Sequence, residues 1–229
     1  MQFFVSAHAK VAVEFLYLET GAKPVKFVIK SRRLNYLKEI HNRENHELIK
    51  RIYESQKKNP SKGDWTEIVK DDLETIEVNE NELKEMSKGE AKQMIKSQIE
   101  KATFKYLQDT KKTHEKVKYI VYTKLETQPY LKTSIITNKE AEILTALRSQ
   151  TVRGIKNNFH SFYENDQQCP LCKSAQDTQE HCMVCPKIVE KMDTVSKHMK
   201  YEHIFGSLLE QKEVAHTYLQ IINIRKGIM

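Results

Sequence analysis

The positions of the cysteines constrain the fold of this chain more than any other feature. All four lie between residues 169 and 185, and the first 168 residues contain none. A secreted disulfide protein would distribute its cysteines to crosslink distant segments. A tight cluster that includes a histidine is instead typical of a metal site in a reducing compartment. The sequence therefore predicts a small metal-binding module in its last third.

The spacing within the cluster favours zinc. Cys169 and Cys172 are separated by two residues, so a tight turn can direct both thiolates at one ion. His181 and Cys185 can project from one helical turn and complete the four tetrahedral ligands that zinc prefers. We expect one structural Zn²⁺ ion, because no coordination position would remain open. Cys182 could replace His181 or Cys185, but we expect a spare thiol; four cysteines without metal are the remaining alternative.

The rest of the chain has the composition of α-helices. It contains only 6 Gly and 5 Pro, with 39% hydrophobic and 30% charged residues, which excludes a turn-rich β-sandwich and a disordered linker. Apolar residues recur at helical spacing over most of the chain. The predicted fold class is mainly α: a multi-helix, bundle-like array followed by a small CCHC zinc knuckle and C-terminal helices.

Local signals place the helix ends. Asp64 is a predicted N-cap, Thr137 or Asn138 is another, and Gly21 is a predicted helix end. The helix after Thr137 is expected to continue past Arg148 towards residue 159. Two further helices are expected at about 186–200 and 206–226, and residues 117–136 have the composition of an extended connection with a candidate short strand.

The charge balance favours polyanionic partners. Lys and Arg total 38 against 31 Asp and Glu, which gives a net charge of +7. Such a surplus suits RNA or DNA, although a solvated basic surface explains it equally well. The best candidates for nucleic-acid phosphate contacts are Lys26, Lys30, Arg32, Arg33, Arg148, Arg153 and Lys156.

Several short segments together resemble the region that follows the polymerase domain in non-LTR (LINE-type) retrotransposon reverse transcriptases. Their order and number, between about residues 12 and 187, carry the resemblance. They are Leu16-Tyr-Leu-Glu-Thr-Gly-Ala22, Arg32-Arg-Leu-Asn-Tyr-Leu37, Lys62-Gly-Asp-Trp65, Gln128-Pro-Tyr-Leu131, Leu147-Arg-Ser149, Asn157-Asn-Phe159, Cys169-Pro-Leu-Cys172 and Asp177-Thr-Gln-Glu-His181.

This resemblance implies a helical thumb-and-linker region and a CCHC zinc knuckle, both in contact with template RNA or target DNA. It also selects His181 rather than Cys182 as the third zinc ligand. The aromatic-x-Asp-Asp turn that holds two Mg²⁺ ions for polymerisation is missing from this sequence. The only Asp-Asp pair is Asp71-Asp72, which we expect on the solvated face of a helix. We therefore expect no catalytic residues and no enzymatic activity.

The expected organisation has four segments. Residues 1–116 form a thumb/linker-like helical region, 117–165 an extended connection and basic helix, 166–187 the zinc knuckle, and 188–229 the C-terminal helices. The expected function is a nucleic-acid-binding C-terminal fragment of such a reverse transcriptase. Alternatives are a non-catalytic zinc-containing adaptor that binds proteins and an inactive pseudogene product.

The expected partners are RNA, DNA and the polymerase part of a retrotransposon protein, without a small-molecule substrate. No apolar run approaches the roughly 20 residues that span a bilayer, so no membrane association is expected. The N-terminal residues lack the pattern of a signal peptide. We therefore expect an intracellular protein, in the nucleus or the cytoplasm, that is not secreted.

Overall fold

The computed structural model describes residues 11–114, 117, 120–152, 155 and 168–227, and these residues are mainly α-helical. Where the connections between helices are described, they consist of loops and short 3-10 turns. The α-helices in the described ranges are α1 (Val13–Thr20), α2 (Val25–His41), α3 (Leu48–Lys58), α4 (Trp65–Thr75), α5 (Glu80–Glu85), α6 (Lys88–Lys111), α7 (Asn138–Arg148), α8 (Gln179–Val184), α9 (Pro186–Val189) and α10 (Leu208–Lys226). The predicted mainly α fold class is confirmed.

The connection between α6 and α7 lacks the candidate short strand in its described residues. Wherever this connection is described it contains no β-strand, and Pro129–Leu131 forms a 3-10 helix. The nearest feature to a strand pairing is one isolated antiparallel bridge between Thr20 and Thr127. Several of its β-branched and aromatic residues are buried without forming a strand, among them Val117, Ile120 and Tyr130.

The predicted helix starts are confirmed. The carboxylate of Asp64 accepts a 2.9 Å hydrogen bond from the backbone of Glu67 and caps α4. Thr137 and Glu140 form a complete capping box at α7. Each cap satisfies backbone N–H groups that the first helical turn leaves without a partner. These signals are local, so the sequence alone could locate them.

The expected continuation of α7 past Arg148 is wrong. Gln150 adopts the left-handed conformation with φ of 53°, and two backbone hydrogen bonds close the helix end. They run from Gln150 N to Leu147 O at 3.1 Å and from Thr151 N to Ala146 O at 2.8 Å. This pair of bonds is a Schellman motif, which satisfies the last carbonyls and turns the chain away from the helix axis.

The helix expected at 186–200 is also shorter than predicted. Only Pro186–Val189 is α-helical, and a 3-10 turn follows at Ser196–His198. Asp193 accepts a 2.7 Å hydrogen bond from the backbone N–H of Ser196. An aspartate that bonds its own neighbouring backbone competes with helix propagation, so this local bond opposes a return to the α-helix after residue 193.

The described chain divides into two compact units. The central unit comprises Ala22–Thr110 with Thr123–Leu125. Its core is formed by helices α2 to α6, with Leu34, Leu37, Leu83 and Ile95 fully buried. The other unit, here called the terminal unit, comprises Met1–Gly21, Lys111–Tyr122 and Glu126–Met229, as far as these are described.

The terminal unit surrounds helix α10. Val214, Tyr218 and Ile221 of α10 are almost completely buried and belong to one apolar cluster with Leu144 and Leu147 of α7. Cys169, Cys182 and Cys185 are part of the same cluster. The predicted metal-binding module is therefore integrated into the core of this unit. Among the described helices, none is both long and apolar enough to span a membrane.

Candidate metal centre

A tight turn presents the first two cysteines. Lys173 N donates to Cys169 O at 2.9 Å, and Cys169 N donates to Ala175 O at 2.8 Å. Lys173 adopts the left-handed conformation, with φ of 57°, which reverses the chain directly after Cys172. An antiparallel bridge between residues 168 and 176 closes the turn. The predicted knuckle turn is thus present, with both thiols on one short, hydrogen-bonded loop.

Helix α8 presents the second pair of side chains. Thr178 is its N-cap, and the hydroxyl of this residue accepts a 3.0 Å hydrogen bond from His181 N. Cys185 is its C-cap and also the residue before the first turn of α9. His181 and Cys185 are four positions apart and therefore lie on the same side of one helical turn.

The four side chains meet at one point. The Sγ atoms of Cys169 and Cys185 are 3.8 Å apart, and Cys172 Sγ lies 3.2 Å from His181 Nε2. All four potential ligand atoms lie within 4.8 Å of one another. Thiolates at roughly 2.3 Å from a tetrahedral zinc ion would be about 3.8 Å apart. The cluster can therefore hold one metal ion without a large rearrangement.

The local environment acts differently on two of these thiols. Hydrogen bonds from Ser174, including its hydroxyl at 3.2 Å from Sγ, lower the pKa of Cys172 to about 6. Burial raises the pKa of Cys185 to about 11. A bound cation stabilises the thiolate form of both, since its charge opposes the cost of burying an anion.

Cys182 lies outside the four-residue cluster. Its side chain is fully buried, and burial raises the pKa of its thiol to about 12. Its Sγ accepts a 3.2 Å hydrogen bond from Nη1 of Arg225 on α10. Cys182 therefore faces the core and α10, whereas His181 and Cys185 belong to the set of candidate ligands.

Two of the candidate phosphate contacts on α2 are engaged within the central unit. Arg33 donates two hydrogen bonds to Asp72, at 2.6 and 2.8 Å, and Lys30 lies 2.8 Å from both Asp71 and Asp72. Asp72 is completely buried, so its expected place on a solvated helix face is wrong. The hydrogen bond to Asp72 raises the pKa of Arg33, although burial opposes it.

The other candidates on α2 are more accessible. Arg32 is exposed, and Lys26 is exposed with its Nζ 3.2 Å from the ring centroid of Tyr106.

The candidate on α7, Arg148, is only 5% exposed and donates to the carbonyl of Ile204 at 2.8 and 3.0 Å. Its guanidinium is thus directed into the terminal unit. Arg153 and Lys156 lie outside the described residues.

Sequence reasoning missed one pair beside the candidate metal centre. Arg225 and Asp177 form a bidentate ion pair with N–O distances of 2.8 and 2.9 Å, and both side chains are buried. They are 48 positions apart, so no local spacing rule could connect them. The sequence contains only an indirect indication of a role for Asp177, which directly precedes the N-cap of the helix next to two candidate ligands.

No protein-family model, curated protein or solved structure matches this chain.

Proposed function

We propose that Cys169, Cys172, His181 and Cys185 bind one structural zinc ion. The observation that carries this proposal is the convergence of three sulfur atoms and one imidazole nitrogen within 4.8 Å. Thiolate and imidazole ligands in a tetrahedral arrangement select zinc over the harder cations, which prefer oxygen. The protein supplies all four ligands and leaves no position for a substrate, so the ion stabilises the fold and has no hydrolytic role.

Metal analysis of purified variants tests the zinc site. Wild-type protein should contain about one zinc per chain, and Cys172→Ser should lose most of it because three ligands bind far more weakly than four. Cys182→Ser is the matched control: it also removes a thiol from the module but should retain the zinc. Equal zinc content in wild type and Cys172→Ser would refute the site.

The wider proposal is that this chain is a nucleic-acid-binding C-terminal region of a non-LTR retrotransposon reverse transcriptase, without a polymerase or other catalytic site. The net charge of +7 supports it, as does the resemblance described above. Exposed cations on α2, Lys26 and Arg32, are suitable phosphate contacts. RNA or DNA is the proposed partner, together with the polymerase part of such a protein. Reduced zinc-binding thiols suit the nucleus or the cytoplasm.

Salt dependence tests nucleic-acid binding. The affinity for a single-stranded RNA and for a duplex DNA should fall steeply as salt rises, because binding releases condensed counterions. The double variant Lys26→Ala/Arg32→Ala should reduce the slope of log affinity against log salt by about 2, since roughly one counterion is released per phosphate contact. A chain without salt-sensitive affinity for either nucleic acid would exclude this function.

Exposed apolar residues on α3 favour a second candidate, a zinc-containing adaptor that binds a protein. Leu48 is 71% exposed and Ile52 is 48% exposed, four positions apart on one side of the helix. Apolar side chains in such an arrangement are a common feature of protein interfaces. In this case partner binding should persist in high salt and should be lost in Leu48→Ser/Ile52→Ser.

A further inference from the structure

Helix α10 contacts the metal-binding module through a buried guanidinium. Arg225 donates through Nη1 and Nη2 to the two carboxylate oxygens of Asp177, at 2.8 and 2.9 Å. The same Nη1 donates to the Sγ of Cys182 at 3.2 Å. Arg225 is 5% exposed, while Asp177 and Cys182 are completely buried. A planar guanidinium that contacts both groups fixes their relative positions.

A second residue of α10 reaches the same helix. The hydroxyl of Tyr218 donates to the backbone carbonyl of Gln179, and both residues are almost fully buried. Tyr218 and Arg225 are seven positions apart, or two helical turns, so they project from the same face of α10.

The three groups that accept hydrogen bonds from α10 lie just before and within the first turn of α8. Asp177 precedes the capping residue, Gln179 opens the helix, and Cys182 lies one turn further along. Helix α8 has only six residues, too few to maintain its direction by its own hydrogen bonds. Its orientation therefore depends on tertiary contacts, and Arg225 and Tyr218 supply polar contacts of this kind.

The orientation of α8 determines where two candidate metal ligands lie. His181 is adjacent to Cys182, and Cys185 follows one turn later, with Sγ 3.8 Å from that of Cys169. We infer that Arg225 is a positioning residue for the metal centre, which couples zinc binding to the docking of α10. This inference rests on the zinc site proposed above.

The coupling is reciprocal. If docking of α10 raises the zinc affinity by aligning His181 and Cys185, then zinc binding must favour the docked state of α10 by the same factor. A purely structural ion pair between Arg225 and Asp177 would stabilise the fold without this linkage. Zinc affinity and local protection of α10 are the two readouts that separate these roles.

The test compares Arg225→Gln with Lys226→Gln, an exposed neighbour on the same helix. Zinc affinity is measured by competition with a chromophoric chelator. Hydrogen exchange of residues 208–226 is measured with zinc bound and after its removal. Arg225→Gln should still bind one zinc but about 10- to 100-fold more weakly, as for other groups that orient metal ligands. Lys226→Gln should have the zinc affinity of wild type. In wild type and in Lys226→Gln, the amides of α10 should exchange faster after zinc removal.

Each result has a distinct meaning. Unchanged zinc affinity in folded Arg225→Gln, or equal exchange of wild-type α10 with and without zinc, would overturn the coupling while leaving the zinc site intact. Wild-type protein that binds no zinc would refute the site and the coupling together. If Arg225→Gln does not fold, Tyr218→Phe removes only the hydroxyl that reaches Gln179, and it should weaken zinc binding several-fold; an unchanged affinity would again overturn the coupling.

Discussion

The guanidinium of Arg148 lies 3.3 Å from the carboxylate of Glu19, which is 129 positions earlier in the chain. Both side chains are almost completely buried, at 5% and 1% exposed. The hydroxyl of Tyr122 donates to the same carboxylate at 2.6 Å, and the guanidinium also donates to the carbonyl of Ile204. An arginine that the sequence suggested for phosphate binding therefore joins α1 to the C-terminal part of the terminal unit.

Replacing Arg148 should destabilise the terminal unit strongly. Arg148→Met leaves the carboxylate of Glu19 buried without its cation, and breaking a buried pair in this way costs about 3–5 kcal/mol. Urea unfolding followed by circular dichroism measures the loss. The double variant Glu19→Gln/Arg148→Met should lose less than the sum of the two single variants, because the unpaired charge is then absent. A loss below about 1 kcal/mol for Arg148→Met would contradict this role.

Adjacent arginines on α2 should behave differently. Arg33→Ala removes a two-pronged partner from the fully buried Asp72, so its expected cost is about 1–3 kcal/mol, moderated by the remaining contact with Lys30. Arg32 is exposed, and Arg32→Ala should change stability by less than about 0.5 kcal/mol. Thermal unfolding of the two variants provides the comparison. Equal stability would show that the Arg33–Asp72 pair contributes nothing.

The parts of this structure that were predictable from sequence depend on neighbours in the chain. Asp64 and Thr137 cap helices through bonds to residues three positions away, and Cys169 with Cys172 forms a turn within a few residues. These arrangements need no knowledge of the tertiary fold. The same is true of the helix that brings His181 and Cys185 to one side.

The parts that sequence could not predict depend on distant partners. Asp72 was expected in solvent because its helix is amphipathic, yet Arg33, 39 positions away, makes its burial possible. The end of α7 is closed by Gln150 in a left-handed conformation, which glycine would normally indicate. Local patterns therefore locate the candidate ligands, whereas long-range pairing determines which cations remain accessible.

The carboxylate of Glu80 should make the stability of the central unit depend on acid pH. His41 Nε2 lies 3.2 Å from one carboxylate oxygen, and the hydroxyl of Tyr53 and Nζ of Lys57 donate to the same carboxylate at 2.5 and 2.9 Å. These contacts, with that of His41 largest, lower the pKa of Glu80 to about 2, against a burial effect in the other direction.

A lowered folded-state pKa means that the folded state favours the ionised carboxylate. The stabilisation is complete above the unfolded pKa, about 4.3, and is lost as the pH falls from there towards 2. Glu80→Gln should therefore remove on the order of 2 kcal/mol of stability at neutral pH and flatten the pH dependence below about 4.5. Urea unfolding of both proteins between pH 2 and pH 7 measures this. A variant with the same acid profile as wild type would exclude Glu80 as its source.

Gly21 should tolerate a side chain less well than Gly63, although both have positive φ angles, of 68° and 80°. A Cβ at Gly21 would lie 2.5 Å from the backbone N of Thr127, whereas nothing lies within 4 Å of a Cβ at Gly63. Both alanine variants incur left-handed strain of about 1 kcal/mol.

Gly21→Ala must also displace the backbone of residues 126 and 127. That segment is held to α1 by Gln128 N donating to Glu19 O at 2.8 Å and by the hydroxyl of Thr127 donating to Thr20 O at 2.7 Å. Overpacking against fixed backbone adds about 1–3 kcal/mol, so Gly21→Ala should have the lower melting temperature of the two variants. Equal melting temperatures would mean that the close approach between α1 and residues 126–128 does not constrain this glycine.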